Sequence, residues 1–223
     1  MARFGTIWTY ANNPRVNRAL IAADMNGLEI DIPAFTMRET NQTPEFLAKF
    51  PLGKVPAFEG ADGFRLTESV AIAFYIAQAG PKAGQLLGED AKTRALITQW
   101  STYAEGELFT NCFMPIAMVV VKYYPLNEKA FDYHVNALLR NAKYLETVLQ
   151  GGKKHLVGDK LTMADLMVTS FLYYAFQYFL DAETRKELPN LTAYIQAFAA
   201  VPEYKKYYGE LQLCETRLTA KGN

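Results

Sequence analysis

Two short stretches of the chain carry residue types that could hold a peptide-like ligand. In the first, residues 50–58, Val55 and Pro56 stand between a loop and a predicted strand. A proline that follows a β-branched residue at such a point is a candidate cis peptide bond, which would expose the backbone N–H and C=O of Val55 to a ligand. A peptide-like ligand would then add as a short strand.

The second stretch, residues 66–72, offers groups for the charged ends of an amino acid. Ser69 stands at a predicted helix start, where unpaired N–H groups and the positive end of the helix dipole favour a carboxylate. The side chain of Glu68 could hold an ammonium group. Together with Val55 and Pro56, these residues predict a site that grips an amino-acid head group.

The composition excludes several classes of function. The chain has 223 residues, of which 50% are hydrophobic, 13% aromatic and 21% charged, and its 23 basic residues balance its 23 acidic ones. Such a chain can bury a sizeable core without disulfides or metals, as one large domain or two small ones, and it is not disordered. Because its formal net charge is zero, no overall field attracts nucleic acid or an anionic membrane.

Cysteine usage and hydropathy favour a reducing compartment. Cys112 and Cys214 stand far apart in no ligand spacing, so the sequence predicts neither a disulfide framework nor a metal site. The most apolar stretch, residues 166–180, contains polar residues and is flanked by aspartates, and the N-terminus lacks a signal-peptide pattern. We therefore expect a cytoplasmic protein that does not enter a membrane.

The first part of the chain alternates strand-like and helical runs. Asn13 followed by Pro14 is a good helix start, and Gly27 is a helix stop. A turn at residues 60–63 joins two short strands as a hairpin. The pattern predicts strands at residues 6–10, 28–32, 57–59 and 65–67, and helices at residues 13–27, 43–50 and from 68 onward.

Glycine and proline mark a boundary in the middle of the chain. Residues 78–93 have few bulky apolar side chains, which predicts a surface linker. Beyond it the pattern is helical, near residues 91–121, 127–150, 162–179 and 190–200. We predict an α/β domain at residues 1–80, a linker at 81–92 and an all-helical domain at 93–223. Residues 162–165 have capping-box spacing, which we assign to folding.

The first half resembles the thioredoxin-like glutathione-binding domain of the glutathione transferases. The Val55-Pro56 and Glu68-Ser69 motifs match the positions where that family binds glutathione. The resemblance covers the whole chain. It implies an α/β plus all-α fold, with a thioredoxin-like N-terminal domain followed by an all-helical glutathione-transferase C-terminal domain.

A narrower resemblance concerns the transferase-like N-terminal domain of the elongation factor 1 complex gamma subunit. It rests on residues 43–47, 54–60, 62–64, 156–158 with 161–165, and 209–215. Gamma subunits continue into a lysine-rich linker and a further domain, which this sequence does not contain. We therefore expect either a stand-alone relative or part of a longer gamma subunit.

The resemblance implies how the central part of glutathione would be held. Val55 would pair its backbone with the cysteinyl unit, Pro56 would be cis, and Glu68 with Ser69 would bind the γ-glutamyl group. The alternative for Val55 and Pro56 is a purely structural turn that maintains the fold whether or not a ligand binds.

The glycyl end of glutathione would meet two further residues under the same resemblance. Lys54 and Gln42 would approach the glycyl carboxylate. For both residues, a plain solvated side chain fits the sequence equally well.

Catalysis is where the resemblance to transferases weakens. The family uses a Tyr, Ser or Cys near the start of the first helix to stabilise the glutathione thiolate, and the matching position here is Asn13, which has no hydroxyl. Lowering a thiol pKa of about 8.5 by roughly two units needs on the order of 2.7 kcal/mol. The dipole of the first helix plus one good donor can supply that. The candidate donors are Tyr10, Asn12, Asn13 and Arg15. Each of three has a competing structural role: Tyr10 could pack in the core, Asn13 could cap the helix, and Arg15 could be a surface charge.

Four residues after the linker recur at helical spacing on the segment that faces the electrophile in transferases. They are Tyr103, Glu107, Asn111 and Met114. A seam of the helical bundle explains the same spacing. Cys112, in an apolar helical run, is predicted to be a small buried hydrophobe rather than a nucleophile.

Three functions follow from these observations. The first is an enzyme, a homodimeric glutathione transferase that takes glutathione as co-substrate and conjugates its thiolate to a small hydrophobic electrophile. The second is a non-catalytic gamma-subunit domain that docks other elongation factor subunits during translation elongation and retains a vestigial site. The third is a sensor or carrier that binds glutathione without turnover. No residue pattern names the electrophile.

Overall fold

The computed structural model describes residues 3–222, which belong to two compact units that divide between Ala91 and Lys92. The first unit combines a sheet with helices, and the second consists of helices. The predicted fold class, an α/β part followed by an all-helical part, is confirmed.

A small sheet organises the first unit. Its described strands are β1 (Arg3–Trp8), β2 (Glu29–Asp31), β3 (Ala57–Gly60) and β4 (Arg65–Leu66), in the order β2-β1-β3-β4. Strand β1 lies parallel to β2 and antiparallel to β3, and β3 forms the predicted hairpin with β4. The first strand ends two residues earlier than predicted, because the Thr9 hydroxyl bonds to the backbone and side chain of the loop that follows.

Helix α1 (Pro14–Asn26) begins and ends at the residues that the sequence indicates. The Asn13 side chain caps it by accepting the N–H of Arg15, and Gly27 adopts a φ of 67°, the left-handed conformation that ends many helices. Helix α2 (Pro44–Lys49) is capped in the same way by Thr43. Local capping chemistry therefore fixes both starts.

Helix α3 (Ser69–Gln78) packs along α1. At its C-terminal end, the Asn26 amide donates to the carbonyl oxygens of Ile76 and Ala77, at 3.1 and 3.0 Å. The Asn26 carbonyl oxygen accepts the N–H of Lys82 at 2.8 Å. One buried side chain thus fixes the end of α3 to α1.

The stretch predicted as a surface linker folds in part. It contains the short helix α4 (Ala83–Leu87), which packs on α3, and the side chain of Leu86 is fully buried. The prediction of a linker without core residues was wrong here, because the Leu86 side chain alone provides a core contact, although the residues around it are mostly small or polar.

The second unit contains seven further helices within its described residues. They are α5 (Ala91–Tyr103), α6 (Thr110–Val119), α7 (Glu128–Val148), α8 (Met163–Tyr178), α9 (Ala182–Lys186), α10 (Pro189–Ala199) and α11 (Pro202–Tyr208). The short helices α9 and α11 were not predicted. Among residues 3–222, no helix combines the length and the apolar character that crossing a bilayer requires.

A π-helical segment, Ala104–Phe109, joins α5 to α6. Its wider turn accommodates an extra residue in an otherwise α-helical run, a feature often found at functional sites. The sequence predicted one continuous helix here, because Gly106 is the only residue of this segment that disfavours a regular helix.

The predicted capping box at the start of α8 is present and extends into a buried network. Thr162 caps the helix, and the carboxylate of Asp165, which is fully buried, accepts the N–H of Thr162 and the N–H of Leu156, both at 2.9 Å. The hydroxyl of Tyr194 on α10 donates to the same carboxylate at 2.7 Å. Nδ1 of His155 lies 3.7 Å from the same carboxylate.

We predict that Asp165→Asn destabilises the protein by about 3 kcal/mol, since the new amide N–H₂ would face donors in place of an acceptor. Urea unfolding followed by circular dichroism measures the change. Asp132→Asn, at an exposed position of α7, is the control and should shift the free energy of unfolding by less than about 0.5 kcal/mol. Equal midpoints for the two variants would contradict the prediction.

Candidate functional site

Strand register brings three loops to one end of the sheet in the first unit. Trp8 at the end of β1 pairs with Ala57 at the start of β3, and Leu66 at the end of β4 pairs with Phe58. The loop after β1, the Val55-Pro56 turn and the start of α3 therefore emerge together. Of the residues predicted to bind glutathione or to activate its thiol, all except Gln42 lie on these loops or directly next to them in the chain.

Val55 has its side chain anchored and its backbone available. The Val55–Pro56 peptide bond is cis, as predicted. The Val55 side chain packs against a core cluster of Phe46, Phe50 and Ala57. Among residues 3–222, its own N–H and C=O make no hydrogen bond. An extended ligand backbone could pair with these two groups.

Ser69 is the first residue of α3, as predicted. Its side chain is nearly buried, and its Oγ accepts a hydrogen bond of 3.0 Å from Nη2 of Arg18 on α1. Within the described part of the chain, the Ser69 hydroxyl accepts this one hydrogen bond and donates none. Glu68, just before it, is exposed and has a φ of 66°, an uncommon conformation for a residue with a side chain.

Gln42 and Lys54 are both exposed. Asn41, a buried residue that no sequence pattern singled out, links the loops that carry them. Its amide donates to the carbonyl oxygen of Gly53 at 2.6 Å, and its own oxygen accepts the N–H of Arg38 at 2.7 Å. The Gln42 amide therefore lies against Gly53, next to Lys54.

Asn13 acts as a helix cap. It is 2% exposed, its Oδ1 accepts the Arg15 N–H at 3.1 Å, and its Nδ2 donates to the Thr9 hydroxyl at 3.0 Å. These bonds occupy both ends of the carboxamide, which favours the cap over the catalytic role that the sequence also allowed.

Tyr10 and Arg15, two further candidates for activating the thiol, lie in the loop after β1 and in the first turn of α1. The Tyr10 side chain is 40% exposed. Partial burial raises the pKa of Tyr10, and the nearby positive charge of Arg15 opposes part of that increase. The hydroxyl therefore keeps its proton at neutral pH and can donate a hydrogen bond. Asn12, between Tyr10 and the cap, has a φ of 57°.

Two of the four residues predicted to meet the electrophile belong to the seam between α7 and the helical run before it. The Tyr103 hydroxyl donates to the Asn141 carbonyl oxygen at 3.4 Å. The oxygen of the Asn111 amide lies 2.9 Å from Nδ1 of His134, and its nitrogen donates to the Glu107 carbonyl oxygen at 2.8 Å. For Tyr103 and Asn111, the seam interpretation is therefore the one that their contacts favour.

The other two residues of that set differ. Glu107 is exposed, with Oε2 3.4 Å from the Asn111 amide nitrogen, and Met114 is half-buried. Cys112 is buried, as predicted, and burial raises its thiol pKa. Within residues 3–222, no group of three or more His, Cys, Asp or Glu side chains is arranged to hold a metal ion.

Two family models match the chain. Residues 4–78 match the glutathione S-transferase N-terminal domain, and residues 111–210 match the glutathione S-transferase C-terminal domain. The first match contains the three loops described above, and the second contains most of the helical unit.

Two similar proteins illustrate the range of relatives. The glutathione S-transferase-like protein LUC7 of a Fusarium species is 42% identical over 217 residues, which cover 97% of this chain and 98% of that protein. Elongation factor 1-gamma-A of Xenopus laevis is 34% identical over 217 residues, which cover 95% of this chain and 48% of that protein. The chain thus spans nearly all of the first protein and about half of the second.

Solved structures give the same picture of the fold. The GST-like domain of elongation factor 1-gamma from Saccharomyces cerevisiae has a TM-score of 0.80 at 25% identity, covering 98% of this chain and 99% of that one. Poplar glutathione transferase F1 has a TM-score of 0.79 at 22% identity, covering 92% and 97%. At that lower identity the likeness concerns the fold alone.

We predict that Arg15→Gln raises the pKa of Tyr10 further, because it removes the positive charge that favours the phenolate. An ultraviolet titration of each protein minus its Tyr10→Phe counterpart isolates this one phenol among the 14 tyrosines. An unchanged midpoint in the Arg15→Gln pair would show that the two groups do not interact.

Proposed function

Since the chain belongs to the glutathione S-transferase family, we propose that it is a glutathione transferase that joins the sulfur of glutathione to a small hydrophobic electrophile. The observation that carries the proposal is the convergence, at one end of the sheet, of the unpaired Val55 backbone with the N-terminus of α3 at Ser69. A tripeptide with two carboxylates and one ammonium group fits such a set of partners.

Each end of glutathione has a partner in this proposal. The cysteinyl backbone pairs with the N–H and C=O of Val55. The α-carboxylate of the γ-glutamyl group accepts hydrogen bonds from the Ser69 hydroxyl and the first N–H groups of α3, where the helix dipole favours an anion. The exposed carboxylate of Glu68 pairs with the ammonium group.

The glycyl carboxylate lies at the opposite end of the bound tripeptide. The proposal places it near the Gln42 amide, which lies against Gly53, and near Lys54, the next residue in the chain. Both side chains are exposed, so we expect each to contribute less to binding than Ser69 does.

Thiolate formation requires a donor near the sulfur. We assign that role to the Tyr10 hydroxyl, because it stays protonated at neutral pH, with the Arg15 charge and the N-terminus of α1 adding positive potential. The thiol proton passes to water, and a sulfur lone pair forms the new carbon–sulfur bond. On a chlorinated nitrobenzene, chloride leaves with the electrons of the carbon–chlorine bond. The half-buried Met114 remains the candidate for the apolar side of the electrophile.

The proposal extends to assembly and location. A cytoplasmic homodimer, with the first domain of one chain packing on the helical domain of the other, is the arrangement that the family resemblance implies. Light scattering that shows a monomer at micromolar concentration would contradict the dimer.

A second candidate function is docking in the elongation factor 1 complex without catalysis. The similarity to elongation factor 1-gamma and the occupied cap at Asn13, where the family has a hydroxyl, favour it. Under this hypothesis the domain would bind another subunit of the complex, and Ser69→Ala would leave that binding intact.

Calorimetric titration with glutathione, followed by a conjugation assay with chlorodinitrobenzene on the same sample, separates these functions. Binding with turnover supports the transferase. Binding without turnover supports a sensor or carrier whose site lacks a thiol activator. Absence of binding at millimolar glutathione would overturn the proposed site and leave the docking function.

We predict that Tyr10→Phe raises the pKa of bound glutathione by about one unit, because the thiolate loses one charge-assisted hydrogen bond. The conjugation rate should fall by about tenfold at pH values below that pKa and approach the wild-type rate above it. Tyr133→Phe, at an exposed position of α7, serves as the control. A pH–rate profile that does not move would leave Tyr10 without a catalytic role.

A further inference from the structure

Arg18 is a buried charge that the proposed mechanism has not used. It stands in the middle of α1, and its side chain is fully buried, the largest one so buried among the described residues. A guanidinium cannot lose its proton in a protein, so its burial is costly unless its N–H groups and its charge are used. The role of this buried charge therefore depends on the groups that Arg18 contacts.

The contact that matters is with Ser69. Nη2 of Arg18 donates to Oγ of Ser69 at 3.0 Å, across the interface between α1 and α3. A hydroxyl has one hydrogen and can accept through its lone pairs. One lone pair of this hydroxyl is engaged by Arg18, and no group among residues 3–222 accepts its hydrogen, which stays available for an acceptor on a ligand.

We propose that Arg18 is a positioning residue for the γ-glutamyl α-carboxylate, acting through Ser69. The proposal rests on the glutathione site proposed above. Arg18 holds the Ser69 hydroxyl in the orientation in which it donates to the carboxylate, and its charge polarises that O–H bond. The same charge lies behind the N-terminus of α3 and adds to the potential that favours an anion there. Carboxylate recognition therefore depends on a residue that the ligand does not touch.

A purely structural role is the competing explanation, since Arg18 also ties α1 to α3. The chain offers a matched comparison, because Asn26 ties the same two helices at the opposite end of α3. Both residues are buried, and both bonds cross the same interface. Loss of Asn26 should lower stability without changing how the start of α3 binds an anion.

The test measures dissociation constants for two ligands by calorimetry. The first is glutathione, and the second is γ-aminobutyryl-cysteinylglycine, which lacks only the α-carboxylate. The proteins are the wild type, Arg18→Met, Arg18→Lys, Ser69→Ala, the Arg18→Met/Ser69→Ala double variant and Asn26→Ala. Thermal unfolding of each protein is recorded alongside.

We expect Arg18→Met to weaken glutathione binding by about tenfold, which corresponds to about 1.4 kcal/mol, and to leave binding of the analogue within about twofold. In the Ser69→Ala background, the same substitution should cost less than about threefold, because the group it acts through is gone. Arg18→Lys, which keeps a buried cation, should recover part of the loss. Asn26→Ala should lower the melting temperature and leave both dissociation constants unchanged.

The following results would overturn the inference. Equal losses for glutathione and the analogue in Arg18→Met, or parallel losses in Asn26→Ala, would make Arg18 merely structural. If Arg18→Met does not fold, Arg18→Lys decides: a glutathione affinity that changes no more than the affinity for the analogue would make Arg18 merely structural. A wild type that fails to bind glutathione overturns the proposed function together with this inference, whereas normal wild-type binding with an indifferent Arg18 overturns the inference alone.

Discussion

The first unit depends on the close antiparallel approach of β1 and β3. Gly5 on β1 makes this approach possible, because a Cβ atom there would lie 2.5 Å from the Phe58 ring and 2.8 Å from the Glu59 carbonyl oxygen. With β1 and β3 in register, the Phe58 ring packs between Phe4 and Tyr75, and the hairpin to β4 sets where α3 begins. Every loop that we assign to glutathione is placed by this pairing.

Two buried charged groups serve the two units in different ways. In the helical unit, the Asp165 carboxylate receives donors from its own helix cap, from the preceding loop and from α10. Such a group joins elements of the fold and has little capacity left for a ligand. In the first unit, Arg18 contacts a hydroxyl whose hydrogen has no acceptor among residues 3–222. The difference between a saturated and an unsaturated partner separates a structural group from one that acts on a ligand.

The sequence predicted the elements whose boundaries are set by local chemistry. Asn13-Pro14, Gly27, Thr43-Pro44 and the Thr162 capping box mark their helices by interactions within a few residues. The sequence also singled out Val55, Pro56, Glu68 and Ser69, because a turn proline and a helix start are visible locally.

The sequence missed helices α4, α9 and α11, which are too short to show a periodic hydrophobic pattern. It also missed the partners of Arg18, Asn41 and Asp165, since contacts between residues distant in sequence leave no local pattern. The catalytic residues stay a prediction.

The π-helical segment between α5 and α6 has a consequence for how length variation is tolerated in this fold. Each α-helical residue turns the chain by about 100°, so one extra residue in a regular α-helix would rotate everything after it by that angle, whereas the wider π turn takes up the extra residue. The spacing of Tyr103, Glu107, Asn111 and Met114 therefore does not define one face of a single cylinder. Removing one residue here would replace the π turn by an α turn and leave the helical residues on either side in their packing. The π-helical segment therefore confines a change in chain length to one turn of the helix.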